Sequence, residues 1–154
     1  MLKKFIVFIN IIIMILLYSC AKKEPAQSPD SDILTNKISI AFSDLNINLA
    51  EEKARDLFDG GNNTDFSKIE NFSVIQSEQG EAGIFKLYSE SNADYIKNIA
   101  AERILKLQEE AGGSAHLNIA NNAEARSYGN YVYYASHAEK DRIFKIIEDE
   151  LKGA

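Results

Sequence analysis

The sequence predicts an α+β domain: a two-layer sandwich in which N-terminal helices precede two ββα units that form a small antiparallel sheet. Three observations carry this expectation. Two pairs of strand-like segments are each joined by a turn signal, Glu78-Gln79-Gly80-Glu81 in the first and Gly129-Asn130 in the second. Each pair is followed by apolar residues at helical spacing. The length of 154 residues, 45% of them hydrophobic, suits one modest core and is too apolar for a wholly disordered chain.

The elements follow in order. Leu34, Ile38, Ala41, Phe42 and Leu45 form a stripe with Asp30 or Ser31 as its cap, which predicts an amphipathic helix over residues 30–45. A second, short helix from about Leu49 to Phe58 runs into the stop signal Asp59-Gly60-Gly61-Asn62-Asn63. Phe72–Ser77 and Ala82–Tyr88 read as the first hairpin; on its second strand Phe85 and Leu87 share one face and Ile84, Lys86 and Tyr88 the other, so Lys86 marks the wetter side. Asn92 opens a long helix with Ile96, Ile99, Ala100, Ile104 and Leu107 on one face, closed by Gly112-Gly113. Ala123–Tyr128 and Tyr131–Ser136 form the second hairpin, and Ala138–Leu151 a last helix carrying Ile143, Phe144, Ile147 and Leu151. The order is αα-ββα-ββα, and hairpins with helices returning to one side give two layers. Strand order stays open at this point.

The first twenty residues read as an address. Lys3 and Lys4 precede thirteen residues, Phe5–Leu17, broken only by Asn10. Such a helix spans about 20 Å, short of the ~30 Å hydrocarbon core, so a signal-peptide core fits better than a spanning anchor. Residues 1–19 are therefore expected to be a signal peptide, 20–29 a tether and 30–154 a single domain. The tether, Ala21-Lys22-Lys23-Glu24-Pro25-Ala26-Gln27-Ser28-Pro29, is polar and punctuated by proline, without helical period.

Leu17-Tyr18-Ser19-Cys20 resembles the bacterial lipobox, with Leu at −3, a small residue at −1 and Cys at +1. That resemblance implies diacylglycerol on the Cys20 thiol, cleavage before Cys20 and acylation of the new amino terminus. Two or three chains, at ~0.8 kcal/mol per buried CH₂, hold a protein to a membrane where one does so only marginally. The implied location is the bacterial cell membrane or outer membrane, lipid-anchored and facing the periplasm or exterior. A second resemblance lies further on. Glu81-Ala82-Gly83-Ile84-Phe85-Lys86, a helix with Arg103 and Gln108, Asn122-Ala123 and Gly129-Asn130-Tyr131-Val132 occur in that order over residues 32–150. This pattern is similar to that of an uncharacterised family of small envelope lipoproteins, a domain of unknown function that implies no activity.

Charge and motifs exclude several classes. The formal charge is −6, and the residues from Asp30 onward hold 13 basic and 22 acidic side chains. An acidic body offers nucleic acid no basic face and stands off an anionic surface. One cysteine excludes a disulfide framework and any multi-cysteine metal site. His116 and His137 have no ligand partners at metal spacing, no serine sits in a nucleophile elbow, and Gly60-Gly61 and Gly112-Gly113 lack the lysine of a phosphate loop. The loop from Asp59 to Glu70 has acids or amides at several calcium positions, but Gly61 replaces an acid and Thr64 the turn glycine, so tight calcium binding is not expected. No enzyme motif, cofactor or metal follows from the sequence.

The remaining concentration is tyrosine. Tyr128, Tyr131, Tyr133 and Tyr134 all fall in the second hairpin, where Tyr131 and Tyr133 share one face and Tyr134 the other. With helices on one side only, either Tyr131 with Tyr133 or Tyr134 alone is expected to face water. Exposed tyrosines serve as hot spots or stacking platforms. Tyr131, Tyr133 and Tyr134 are thus the candidate interaction face, for an envelope protein or a small ligand. The expected function is a membrane-anchored binding module; the alternative is an envelope enzyme or accessory subunit without a recognisable motif.

Overall fold

The computed structural model describes residues 28–59, 64–78, 80–113 and 116–153. The expected signal peptide, Cys20, most of the tether and the Gly60–Asn63 part of the Asp59–Glu70 loop lie outside the described residues. Five α-helices and a five-stranded antiparallel sheet make an α+β fold. The helices are α1 (Ser31–Ala41), α2 (Glu51–Phe58), α3 (Ala93–Glu110), α4 (Leu117–Asn121) and α5 (Lys140–Gly153). The strands are β1 (Ile47–Asn48), β2 (Ile69–Gln76), β3 (Glu81–Leu87), β4 (Glu124–Tyr128) and β5 (Tyr131–Ser136), in spatial order β1-β2-β3-β5-β4. Both expected hairpins form, and β5 rather than β4 lies beside β3, pairing Glu81 with Ser136 and Lys86 with Tyr131. Two elements were not expected: the short edge strand β1 and the single turn and a half of α4. No helix of the described residues is long and apolar enough to cross a membrane.

Strand parity divides the core in two. Phe72, Val74, Phe85, Leu87, Val132 and Tyr134 point to one face and pack against α2 and α3 through Phe58, Ile96, Ile99 and Ala100. Ile75, Ala82, Ile84, Tyr131, Tyr133 and Ala135 point to the other and meet Leu34 and Ile38 of α1 and Ile143, Phe144 and Ile147 of α5. Helices therefore cover both sides of the sheet, three layers where two were expected. The two helices that follow the hairpins part company: α3 packs on one face and α5 on the other, where the apolar stripe of α1 joins it.

The expected interaction face is corrected by this layering. Tyr131, Tyr133 and Tyr134 are 3%, 1% and 0% exposed, core residues all three. Burial first of all pushes each of their hydroxyls above the ordinary tyrosine value. Each hydroxyl still finds a partner: Tyr131 donates to the Pro29 carbonyl (2.6 Å), Tyr133 to Glu148 (3.2 Å) and Tyr134 to Glu81. The tyrosines that meet water are Tyr88, 68% exposed, and Tyr128, 42% exposed, at the ends of their strands.

Lys86, expected on the wetter face, is also buried. Its ammonium donates to Asp30 (2.9 Å), to Glu70 (3.0 Å) and to the Ser28 carbonyl (3.2 Å). Desolvation pulls its pKa down, but the two carboxylates prevail and hold it above the ordinary lysine value. Asn71 adds a second clamp, accepting from the Ser31 N–H (2.9 Å) and donating to Asp30 (2.9 Å). The first described residues are thus sewn to the end of the sheet.

At the β4 edge, Glu124 accepts from Arg126 (2.8 Å) and from Lys140 (2.9 Å), tying α5 to the sheet. The hydrogen bond from Arg126, then that from Lys140, holds its carboxyl at about 2, against an ordinary 4.5. A depressed carboxylate stabilises the fold above its unfolded pKa, and the gain is lost as pH falls through the folded value. The melting temperature is therefore expected to drop between pH 4.5 and about 2, less steeply in Glu124→Gln. Melting curves across this window test it, and equal slopes in the two proteins would refute it.

Candidate functional site

The inward stripe of α3 contains one charged residue. Arg103 lies at helical spacing from Ile96, Ile99 and Ala100 and is 5% exposed. A guanidinium at a core position needs a buried acid, because an unpaired charge there is far too costly. Strand parity supplies it: Glu81 opens β3 on the same face as Phe85 and Leu87 and is 2% exposed. The pair is bidentate, Nε to Oε1 at 2.9 Å and Nη2 to Oε2 at 2.7 Å. Tyr134 donates its hydroxyl to Oε1, and the Gln76 side-chain amide donates to Oε2. Glu81 thus accepts four hydrogen bonds, two on each oxygen.

A glycine makes the tyrosine contact possible. Gly83 faces Tyr134 across the β3–β5 ladder. A Cβ on Gly83 would lie 2.3 Å from Tyr134 Cε1 and 2.9 Å from Cζ. The ring therefore lies over bare backbone, the cross-strand cover that aromatics give to sheet glycines, and its hydroxyl reaches Glu81. Burial opposes the charge on Arg103, yet the hydrogen-bonded Glu81 carboxylate more than compensates and holds the guanidinium above its ordinary pKa.

Beyond this cluster a cleft of about 360 Å³ opens between the β2–β3 turn, the last turns of α3 and α4. Gln76, Glu81, Arg103, Leu107, Glu110 and Ile119 line it. Its volume falls within the range of small-molecule sites. Glu110 at its mouth accepts from Arg103 Nη1 at 3.0 Å and is itself 61% exposed, a solvated and readily exchanged partner. The cleft is floored by a rigid, internally satisfied charge cluster and rimmed by acid.

No family model, curated protein or solved structure matches this chain. The likeness to an uncharacterised lipoprotein family therefore gains no support. Its two strand motifs do fall side by side, since Glu81–Lys86 is β3 and Tyr131-Val132 opens β5.

The other singled-out residues separate. Cys20 lies outside the described residues. His137 Nε2 meets Asp44 at 2.9 Å while its Nδ1 accepts from the Glu139 N–H at 3.1 Å. With Nδ1 accepting, Nε2 is the ring nitrogen that faces Asp44, a structural role at the start of α5. In the Asp59–Glu70 loop, Asp65 binds Lys68 and Ser67, and Glu70 binds Lys86. Among the described residues no group of three His, Cys, Asp or Glu is placed to hold a metal. Sequence reasoning missed Glu81 and Arg103, although the signal was present: an arginine inside an apolar helical stripe and an acid in phase with Phe85 and Leu87.

Proposed function

We propose that this protein is a lipid-anchored bacterial envelope protein whose folded domain acts as a binding module, with the Glu81–Arg103 cleft as its contact site for a small ligand or a segment of another envelope protein. The observation that carries the anchoring is Leu17-Tyr18-Ser19-Cys20 at the end of the apolar run Phe5–Leu17, behind Lys3 and Lys4. Seven residues separate Cys20 from Ser28, where the described fold begins. The binding role is supported by the state of the cleft's charged groups. Glu81 has both oxygens engaged twice over and Arg103 is committed to two carboxylates. A general base needs a lone pair directed at its substrate, and Glu81 keeps none. A rigid floor that needs no reorganisation favours binding.

Expression in bacteria fed an alkyne-bearing fatty acid tests the anchor. Protein recovered from membranes is expected to carry the label, to lack residues 1–19 and to show diacylglyceryl mass on Cys20. Cys20→Ala is expected to accumulate as unlabelled precursor. An intact Met1, or a free Cys20 thiol on envelope-derived protein, overturns the proposal.

A further inference from the structure

We infer that the pole of the domain where the N-terminal chain leaves the sheet faces the bilayer and meets its headgroups through Tyr88 and Tyr128, while the Glu81–Arg103 cleft opens on the opposite pole. This rests on the acylation of Cys20 proposed above.

The exit point is fixed by the fold. The Ser28 carbonyl accepts from Lys86, the Pro29 carbonyl from Tyr131, and Asp30 is held by Lys86 and Asn71. All three holding residues stand at one end of the sheet, because Lys86 pairs with both Asn71 and Tyr131. The cleft stands at the other end, where Gln76 pairs with Glu81 and Glu81 with Ser136. Along β3 the two ends are separated by the strand's 7 residues, about 20 Å.

The reach of the tether then sets the orientation. Whatever its path, the chain from Cys20 to Ser28 spans at most about 27 Å at ~3.4 Å per residue. To turn the cleft onto the membrane, the tether would have to run back along the roughly 20 Å between the two ends, largely extended, whereas a flexible coil of this length averages only about 16 Å. The exit pole is therefore the side held against the lipid.

What that pole presents fits a headgroup layer. Tyr88 follows the last residue of β3 and Tyr128 ends β4, beside Tyr131. They are the two large exposed aromatics of the described residues. Tyrosine, with an apolar ring and a hydroxyl that hydrogen-bonds, is enriched at membrane–water interfaces. Several of the acids at this pole are ion-paired: Asp30 and Glu70 share Lys86, which leaves one net negative charge, Asp65 pairs with Lys68 and Glu148 with Lys152. Asp32, Glu90 and Asp94 remain exposed there, so the tether rather than charge attraction holds the contact. The cleft pole carries exposed Glu78, Glu109 and Glu110, so both poles are acidic and the tether, not charge, sets the orientation.

Site-directed fluorescence tests the orientation on the full-length, membrane-processed protein. Cys20 is the chain's one cysteine, so once it is acylated an introduced cysteine is the single free thiol. Tyr88→Cys, Tyr128→Cys, Glu78→Cys and Glu110→Cys are each labelled and reconstituted into phosphatidylethanolamine–phosphatidylglycerol vesicles containing a lipid with a headgroup nitroxide. Quenching at 88 and 128 is expected to exceed that at 78 and 110 several-fold. Inserting a flexible Gly/Ser segment of about 20 residues after Gln27 is expected to shrink the difference, because it roughly doubles the tether's coil dimensions. Equal quenching at the two poles, or stronger quenching at 78 and 110, overturns the inference while leaving the anchor intact. Intact mass separates the two failures: protein without lipid on Cys20 overturns the anchor reading itself.

Discussion

Replacing Arg103 by methionine is expected to lower the unfolding free energy by about 3–5 kcal/mol, the cost of stranding a buried charge without its partner. Methionine fills much of the arginine's volume, so packing changes little. What is lost is the bidentate pair at 2.7 and 2.9 Å, which leaves the Glu81 carboxylate, 2% exposed, without a counter-charge. Arg103→Lys keeps the charge but replaces a planar fork with a point donor, and an intermediate loss is expected. The double variant Glu81→Gln/Arg103→Met is expected to lose less than the sum of the two single variants, because neither partner is left charged and alone. Urea denaturation of residues 28–154 measures the wild type and the four variants. A loss below about 1 kcal/mol for Arg103→Met would place the pair in the class of solvated surface bridges and remove the rigid floor from the cleft.

Gly83→Ala is the second change with a large expected effect, about 1–3 kcal/mol or more from overpacking. The added methyl would sit 2.3 Å from Tyr134 Cε1. The ring has no exposed edge through which to retreat, being packed against Phe58 and Phe85 at centroid distances of 6.1 and 6.4 Å. If it shifts, its hydroxyl leaves Glu81. The cost of Gly83→Ala is therefore expected to shrink in a Tyr134→Ala background, where the space is vacant. Unfolding curves of the two singles and the double close the cycle; an unchanged cost in the Tyr134→Ala background would show that something other than the ring resists the methyl.

Both variants bear on how far the sequence alone reaches. Local signals were legible: Tyr131–Ser136 appears as β5 with the expected bounds, and α3 ends just before Gly112-Gly113. Alternation also assigned the faces of β3 correctly, with Phe85 and Leu87 opposite Ile84 and Lys86. What periodicity does not contain is which elements cover those faces, since that depends on the path of the chain in space. Lys86 was read as a wet position because an isolated lysine is costly to bury, yet Asp30 and Glu70 arrive from elements far away in sequence and make it a core residue. Either Tyr131 with Tyr133 or Tyr134 alone is expected to meet water if one face of the sheet is bare, but α1 and α5 cover the first pair and α2 and α3 cover Tyr134. The Glu81–Arg103 pair was hidden by the converse habit of treating charges as surface residues. Its partners are 22 positions apart and are joined only once α3 lies on the sheet.

The two borders of the sheet bear on life at a crowded surface. Chains anchored by lipid share a plane, where their local concentration is high and an unpaired strand invites a neighbour to continue the ladder. Here neither border offers a long flat template. β2 is capped over Gln76 and Ile75 by the two residues of β1, and its opposite end is distorted between Ile69 and Asn71, where the register shifts. β4, at the other border, is 5 residues long and carries Glu124 and Arg126 in a network that reaches Lys140, Asp141 and Glu148. A neighbouring molecule would have to break that charged lattice before adding a strand. The sheet is thereby closed to lateral growth, so molecules gathered in one plane by the proposed anchor would crowd one another without fusing into fibres.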